Sequence, residues 1–274
     1  MPEISVIMSV YNLGDEGILG QSIESILNQT FRDFELIICD DGSTDRTWEI
    51  LKKIAQKDKR IMLIHNKNNR KAGFARNCCL KKAVGQYIAV ADGDDIYPVN
   101  RLEVERNYLE QHREYGFVGS RGVFFCREVG DDGENYWFCE KPQPKDFLFS
   151  LPFAHASCMF RREVLEKIGG YCQEKNCYRV EDYDMFLRLY ADGVRGKNLK
   201  ETLYYIRRDD KQYKRRLYRY RLNEAKMKYR GFRRLDLLPR ALPYVLKPLI
   251  VGLIPWRISA MMQKIYYKRN YGKN

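Results

Sequence analysis

The sequence has no long hydrophobic run. In its most apolar region the longest stretch free of charge is PLIVGLIPW (248–256), nine residues, against the roughly 20 that cross a bilayer as a helix. Pro239, Pro243, Pro248 and Pro255 would interrupt a spanning helix there. A spanning helix in this region is therefore not expected, and any membrane association there would be peripheral or monotopic. Eight cysteines are present, but no CxxC spacing pairs them, so the chain shows no zinc-ligand pattern. Reduced, mostly buried thiols are the expectation, with a structural zinc site as the competing reading. MPEISVIMSVYN (1–12) has no basic leader region and runs directly into a strand-like pattern, so no secretory signal is expected and a cytosolic setting is. Internal repeats and low-complexity segments are also missing, which argues against solenoids and disordered linkers.

What is present is an ordinary globular balance with one biased end. Of 274 residues, 45% are hydrophobic and 31% charged, enough for a sizeable core. The net charge of +13 is not spread evenly. Residues 207–274 hold 20 Lys/Arg and 4 Asp/Glu, whereas residues 1–206 hold 29 against 32. A near-neutral body thus carries a strongly basic tail, and such a tail calls for an anionic partner, nucleic acid or an acidic membrane surface.

The first half alternates strand and helix patterns. ISVIMSVYN (4–12), FELIICD (34–40), RIMLIHN (60–66) and GQYIAVAD (85–92) are apolar runs rich in β-branched residues. Between them, residues 17–29, 43–56 and 73–84 carry apolar positions at helical spacing, with Ser43 or Thr44 as N-cap of the second. Short connections and this alternation predict an α/β fold: a mostly parallel sheet with helices on both faces. Further on, helices are expected over 99–114 and 181–193, a strand over 115–128, a loop over 129–145 and a strand-to-helix passage over 156–171 closed by Gly169–Gly170.

In such sheets a ligand sits beyond the carboxyl ends of the strands, and acidic residues gather there. Asp40 and Asp41 follow the second strand; Asp92, Asp94 and Asp95 follow the fourth, in VADGDD (90–95). Neighbouring carboxylates repel unless a cation sits between them. A hard divalent ion, Mg²⁺ or Mn²⁺, suits oxygen ligands and phosphate oxygens together. An Asp-rich solvated turn is the plainer alternative for either cluster alone.

Taken in order, ISVIMSVYN, QSIESILNQTFRDFELIICDDGSTDRT, GFARNCCLKKAVGQYIAVADGDDIYPVNRLE, HASCMFRREVLEKIGGY and VEDYDMFLRL resemble a family 2 glycosyltransferase of the GT-A fold, over about residues 3–206. The resemblance implies inverting transfer of a hexosyl or N-acetylhexosaminyl group from a nucleotide sugar, usually a UDP-sugar, assisted by Mn²⁺ or Mg²⁺. It implies that Tyr11 packs on the base, that Asp40 accepts from the uracil N3–H, and that Asp41 braces the turn. Arg76, with Asn77 beside it and Gly73 allowing close approach, would meet the base-side acid or a phosphate. Asp92 would meet the ribose, Asp94 would bind the metal, and Asp95 would either support it or be linked to the metal itself. Asp182 would be the general base, with Glu181 and Asp184 as alternatives, and His155 would face the acceptor or phosphates.

The tail interleaves basics with aromatics in RRDDKQYKRRLYRYRLNEAKMKYRGFRR (207–234), then turns apolar. Interfacial helices on an anionic membrane are the expectation, giving a catalytic domain at 1–206 and an amphipathic, membrane-associating helical tail at 207–274. The expected setting is the cytoplasmic membrane face and the acceptor a lipid-linked cell-surface glycan. A helical lid packed on the body is the alternative for the tail. Catalysis and localisation are expected to be separable by deleting the tail. Two other classes compete: a basic-tailed single-stranded nucleic-acid binder, and a nucleotidyltransferase or sugar-binding relic without transfer activity.

Overall fold

The computed structural model describes residues 1–136, 138–208 and 217–253. The rest of the basic tail, 209–216 and 254–274, lies outside the described residues, and so does part of its expected membrane segment. The first half runs β1 (Ile4–Val10), α1 (Glu16–Leu27), β2 (Phe34–Asp40), α2 (Thr47–Ala55), β3 (Ile61–His65), α3 (Ala72–Leu80) and β4 (Tyr87–Asp92). Then come α4 (Arg101–Gln111), β5 (Phe117–Phe125), β6 (Met159–Arg161), α5 (Arg162–Lys167), α6 (Glu181–Ala191) and β7 (Gly196–Arg207). The described part of the tail forms α7 (Tyr218–Arg234) and α8 (Leu242–Leu253).

One seven-stranded sheet has the order β3-β2-β1-β4-β6-β5-β7. The pairs among β1 to β4 are parallel, as is β5 with β7, and the three-residue β6 runs antiparallel between β4 and β5. β1 reads as a near-continuous apolar run because both faces are covered. Its side chains alternate between two cores, as the pleat requires. Val6, Met8 and Val10 pack with Leu19, Ile23, Ile50, Leu51, Leu102 and Leu109 of α1, α2 and α4. Ile7 packs on the opposite face with residues of α3, α5, α6 and α7. The register puts Val10 opposite Asp40 and Ser9 opposite Asp92. The carboxyl ends of β2, β1 and β4 are therefore level, and the strand order reverses between β1 and β4. That reversal is where an open α/β sheet leaves a ligand crevice.

Several expectations are corrected. α2 starts at Thr47, and neither Ser43 nor Thr44 caps it. Ser43 Oγ donates to Asp40, and the Thr44 N–H donates to Asn12 Oδ1 at 2.9 Å. Both residues are spent on joining the loop after β2 to the loop after β1. The cysteines are not all reduced: Cys172 and Cys177 form a disulfide, because a 3₁₀ turn at Lys175–Cys177 folds the intervening segment back. Glu174 lies with them, but joined sulfurs offer no thiolate to zinc.

The tail is also less separable than its composition suggests. Met227 and Phe232 of α7, and Ala241 and Val245 beyond it, share one core with Phe186, Leu187 and Tyr190 of α6. Gly231 lies so close to Leu187 that a Cβ there would collide with it. The lid-like packing weighed as the alternative is what the described residues 218–245 show. No helix among the described residues is long and apolar enough to cross a membrane.

Candidate functional site

The acidic turn after β4 is held from three directions. The Asp92 N–H donates to Tyr97 Oη at 2.8 Å, and the Asp92 carbonyl accepts from Ser22 Oγ at 2.9 Å. A Cβ on Gly93 would meet Val10 Cγ1 at 2.8 Å, so the glycine lets the turn pass over the end of β1. The end of β7 supplies the third hold. Tyr204 Oη and the Arg207 N–H both donate to the Asp95 carboxylate, the latter at 2.8 Å. Arg207 Nε donates to the Asp94 carbonyl at 2.9 Å, and its Nη2 to Gln21 Oε1 at 3.0 Å. Tyr97 stacks on Tyr204 with ring centroids 5.6 Å apart.

The three aspartates are thus not equivalent. Asp95 is buried, and burial, then the charges of Asp94 and Asp92, push its carboxyl well above the usual range. It anchors the turn. Asp92 and Asp94 remain partly exposed at the crevice.

The second acidic pair is internal. Asp40 is fully buried; one oxygen accepts from the Ser43 hydroxyl and the other pairs with His65 Nδ1 at 2.8 Å. The base-reading role expected of Asp40 is therefore corrected: Ser43 and the His65 ring, itself stacked on Trp48, cover the carboxylate. Asp41 accepts from Asn66 Nδ2 at 3.0 Å and from the N–H groups of Arg70 and Lys71, the latter at 2.7 Å. It braces the loop before α3. Its carboxyl is raised by burial against the pull of these donors. Tyr11, just beyond β1, is 46% exposed.

Opposite the acidic turn, α3 and α6 meet. Arg76 is buried, with Nη2 3.0 Å from Asp92 Oδ1 and Nη1 3.7 Å from Glu181 Oε1. Arg76 Nε and Glu181 Oε2 are buried without a hydrogen-bond partner. A Cβ on Gly73 would meet Cys172 O at 2.8 Å, so Gly73 allows close approach of the 172–181 segment to α3. Asn77 locks the same segment through two bonds to the Tyr171 backbone, at 2.8 and 2.9 Å.

Asp182 accepts from the Tyr183 N–H at 2.7 Å through Oδ1. Its pKa is pushed up to about 6, first by burial and then by the Glu181 charge, against the pull of the Tyr183 N–H and Arg76. Asp184 is buried and tied to Arg188 at 2.7 Å, and Arg188 also donates to the carbonyls of Ile168 and Gly170. Asp184 is thereby committed to structure. His155 is buried, with Nε2 2.8 Å from Tyr171 Oη. Burial, then the positive Arg76 and Arg101, hold it well below its usual pKa, so it is neutral. Its ring packs edge-on against Tyr171 and Phe186.

The geometry joins an exposed carboxylate pair at a strand-end crevice, through one buried arginine, to a carboxylate with a pKa suited to taking a proton near neutrality. Tyr97, Tyr171, Tyr204 and Arg207 are essential to this arrangement and were not among the sequence candidates. Tyr204 and Arg207 reach Asp95 across 109 and 112 residues, Tyr171 meets His155 across 16, and Tyr97 folds back on Asp92 five residues earlier; no local pattern marks any of them.

The family model for Glycosyl transferase family 2 matches residues 5–169. Among curated proteins, EpsE of Bacillus subtilis (strain 168), a glycosyltransferase by name, is 40% identical over 98% of this chain and 94% of its own length. WfaP of Escherichia coli is named a UDP-Glc:α-D-GlcNAc-diphosphoundecaprenol β-1,3-glucosyltransferase. It is 31% identical over 75% of this chain and 78% of its own. Among solved structures, Staphylococcus aureus TarS 1–349 in complex with UDP-GlcNAc superposes with a TM-score of 0.67 at 20% identity. That superposition covers 90% of this chain and 73% of TarS 1–349.

Proposed function

Since this chain belongs to glycosyltransferase family 2, we propose that it transfers a sugar from a UDP-sugar, with inversion, to a hydroxyl of a lipid-linked cell-surface glycan precursor. The Asp92–Arg76–Glu181/Asp182 arrangement carries this reading. It sets a nucleotide-side carboxylate and a proton acceptor on two sides of one crevice, as attack from the face opposite the leaving group demands. The UDP-sugar donor and lipid-linked acceptor draw support from the name of the WfaP relative.

Asp182 is the general base in this reading. Its Oδ1 is steadied by the Tyr183 N–H. Glu181 positions it and Arg76 balances the pair. Tyr11 offers its ring to the base, and Asp92 meets the ribose. The oxygen donors at Asp92 and Asp94 fit a hard divalent cation, Mn²⁺ or Mg²⁺. When bound, such a cation stabilises the charge of the leaving diphosphate. Asp95, Asp41 and Asp40 hold the loops that shape the crevice.

Residues 1–206 are the catalytic unit, and 207–274 the part that associates with the cytoplasmic face of an anionic membrane. α7 and α8 pack on the body while Leu242, Leu246, Ile250 and Leu253 stay exposed, as an interfacial surface needs. A nucleic-acid binder is the less favoured reading, because the family match covers the body and the exposed face of α8 is apolar.

The test is turnover by the purified chain against a panel of nucleotide sugars with Mn²⁺ or Mg²⁺. Hydrolysis or transfer of a UDP-sugar is expected, and no turnover of any donor would favour the inactive relic. In the same assay, Asp94→Ala should abolish metal-dependent binding of UDP while leaving the melting temperature within about 2 °C, as for a surface substitution. Unchanged UDP titration in the presence of Mn²⁺ would remove Asp94 from the site.

A further inference from the structure

A second cavity lies away from the crevice, against the tail. It measures about 370 Å³ and is lined by Asn176, Ala225, Lys226, Tyr229, Arg230 and Val245. Its walls are therefore α7, α8 and the turn closed by the Cys172–Cys177 disulfide. The volume falls within the roughly 300–1,000 Å³ of small-molecule sites. Its lining combines apolar side chains with two cations.

Those cations are poorly satisfied by the protein. Lys226 pairs with no acid among the described residues. Glu224, one of the two acids in 217–253, is already shared by Arg221 at 3.1 Å and the buried Lys228 at 3.3 Å. Arg230 reaches Glu174 only at 3.8 Å, and that carboxylate is 67% exposed, where such pairs contribute little; its Nη2 donates to Cys177 Sγ at 3.5 Å, a weak sulfur acceptor. Arg230 Nε is buried with no acceptor. A buried donor left in this state costs free energy unless a ligand supplies the acceptor.

The surroundings indicate what kind of acceptor. Tyr218, Leu222 and Tyr229 of α7, and Leu242, Leu246, Ile250 and Leu253 of α8, are all more than 40% exposed. Apolar exposure on two adjacent helices, around a cationic pocket, matches a ligand with one anionic end and one apolar end. The remaining stretch of this chain, 254–274, is a poor occupant on charge. It adds Arg257, Lys264, Lys268, Arg269 and Lys273 and no acid.

We propose that the cavity between α7, α8 and the Cys172–Cys177 turn binds the phosphate of an anionic membrane lipid. The Lys226 ammonium and the Arg230 guanidinium hold the phosphate, and the lipid chain lies along the apolar face of α8. The proposal rests on the membrane-associating reading of the tail and names the point where it is specific. The site also touches the catalytic unit, because the turn that forms one wall leads within five residues to Glu181 and Asp182. On the inner side of α7, the Lys228 ammonium lies 5.7 Å from the ring of Tyr183, the residue after the base.

The test is co-sedimentation of the full chain with vesicles of phosphatidylglycerol and phosphatidylcholine. The comparison is between wild type, Lys226→Gln/Arg230→Gln and a charge-matched control, Arg233→Gln/Arg234→Gln, in the exposed last turn of α7. Each juxtamembrane cation removed weakens binding roughly fivefold. Two surface cations are thus worth at most about 25-fold, the ceiling expected for the control pair; the pocket pair should lose more than that, because it also removes the direct contacts to the phosphate. Equal losses overturn the pocket and leave a diffuse basic surface, with the membrane reading intact. Failure of the wild type to sediment overturns the membrane reading itself.

A calorimetric titration with soluble dihexanoyl phosphatidylglycerol and with inorganic phosphate separates the two sources of phosphate. Saturable binding of the short lipid, lost in Lys226→Gln alone, supports the site. Equal binding of inorganic phosphate overturns the lipid assignment. Lys226 is exposed, so its substitution does not disturb folding, and retained UDP binding by each variant checks this directly.

Discussion

Asp182→Asn is expected to lower sugar transfer by roughly 10²–10⁴-fold, the usual scale for loss of a general base, with donor binding retained. Asparagine keeps the shape and can still accept from the Tyr183 N–H, which meets Asp182 at 2.7 Å. It cannot take the proton of an attacking hydroxyl near neutral pH. The same assignment predicts a pH profile. The Asp182 pKa is raised to about 6 by burial and by Glu181. The ionised, active form is therefore dominant above pH 6, and kcat/KM should fall tenfold per pH unit below it.

Glu181→Gln removes the like charge that raises the Asp182 pKa, so the acid limb should move to lower pH while the rate at pH 8 survives. Collapse of the rate in Glu181→Gln with little effect in Asp182→Asn would transfer the role to Glu181. Steady-state rates of transfer from pH 5 to 9 for the three proteins, with donor titrations alongside, decide between them.

Phe232→Ala is expected to destabilise the whole protein by about 3–5 kcal/mol, the range for emptying a buried phenylalanine site. Phe232 is fully buried in one core with Phe186 and Leu187 of the base-bearing helix. Total stability is ordinarily only about 5–15 kcal/mol, so the loss is a large fraction of it. A fall in Tm on the order of 10 °C should follow. Removal of residues 207–274 should do more, because it also uncovers the site against which Met227, Ala241 and Val245 pack. Thermal unfolding of the variant checks the point. An unchanged Tm would mean that α7 is an independent appendage, as the composition of the tail alone suggests.

The sequence by itself determined the alternating βα units, the strand β2 to its end residues, and the acidic ends of β2 and β4. These are properties of neighbours: β-branched runs, helical spacing and turn residues act over a few positions and leave a readable period. The ordered motifs from ISVIMSVYN to VEDYDMFLRL were enough to imply the family. Which carboxylates face the crevice was decided only by tertiary structure. Asp40 and Asp41 are locally indistinguishable from Asp92 and Asp94 as acids at strand ends. Yet His65, Asn66, Arg70 and Lys71 draw the first pair inward. Asp95 turns inward because Tyr204 and Arg207 reach it across more than a hundred residues of chain.

β7, the strand that supplies those two residues, went unread because its twelve residues mix buried and exposed positions with no clean alternation. The short β6 was legible as the strand that leads into α5, but its antiparallel place between β4 and β5 was not, because pairing direction is not carried by three residues. The packing of the tail on the body was illegible for a related reason. A composition of basic and aromatic residues describes a solvated or membrane surface equally well from any side of a helix. Only packing against Leu187 and Phe186 shows that one side of α7 belongs to the core. Contacts between distant segments are selected by shape and by the cost of leaving buried polar groups unpaired, and neither is written in the order of adjacent residues.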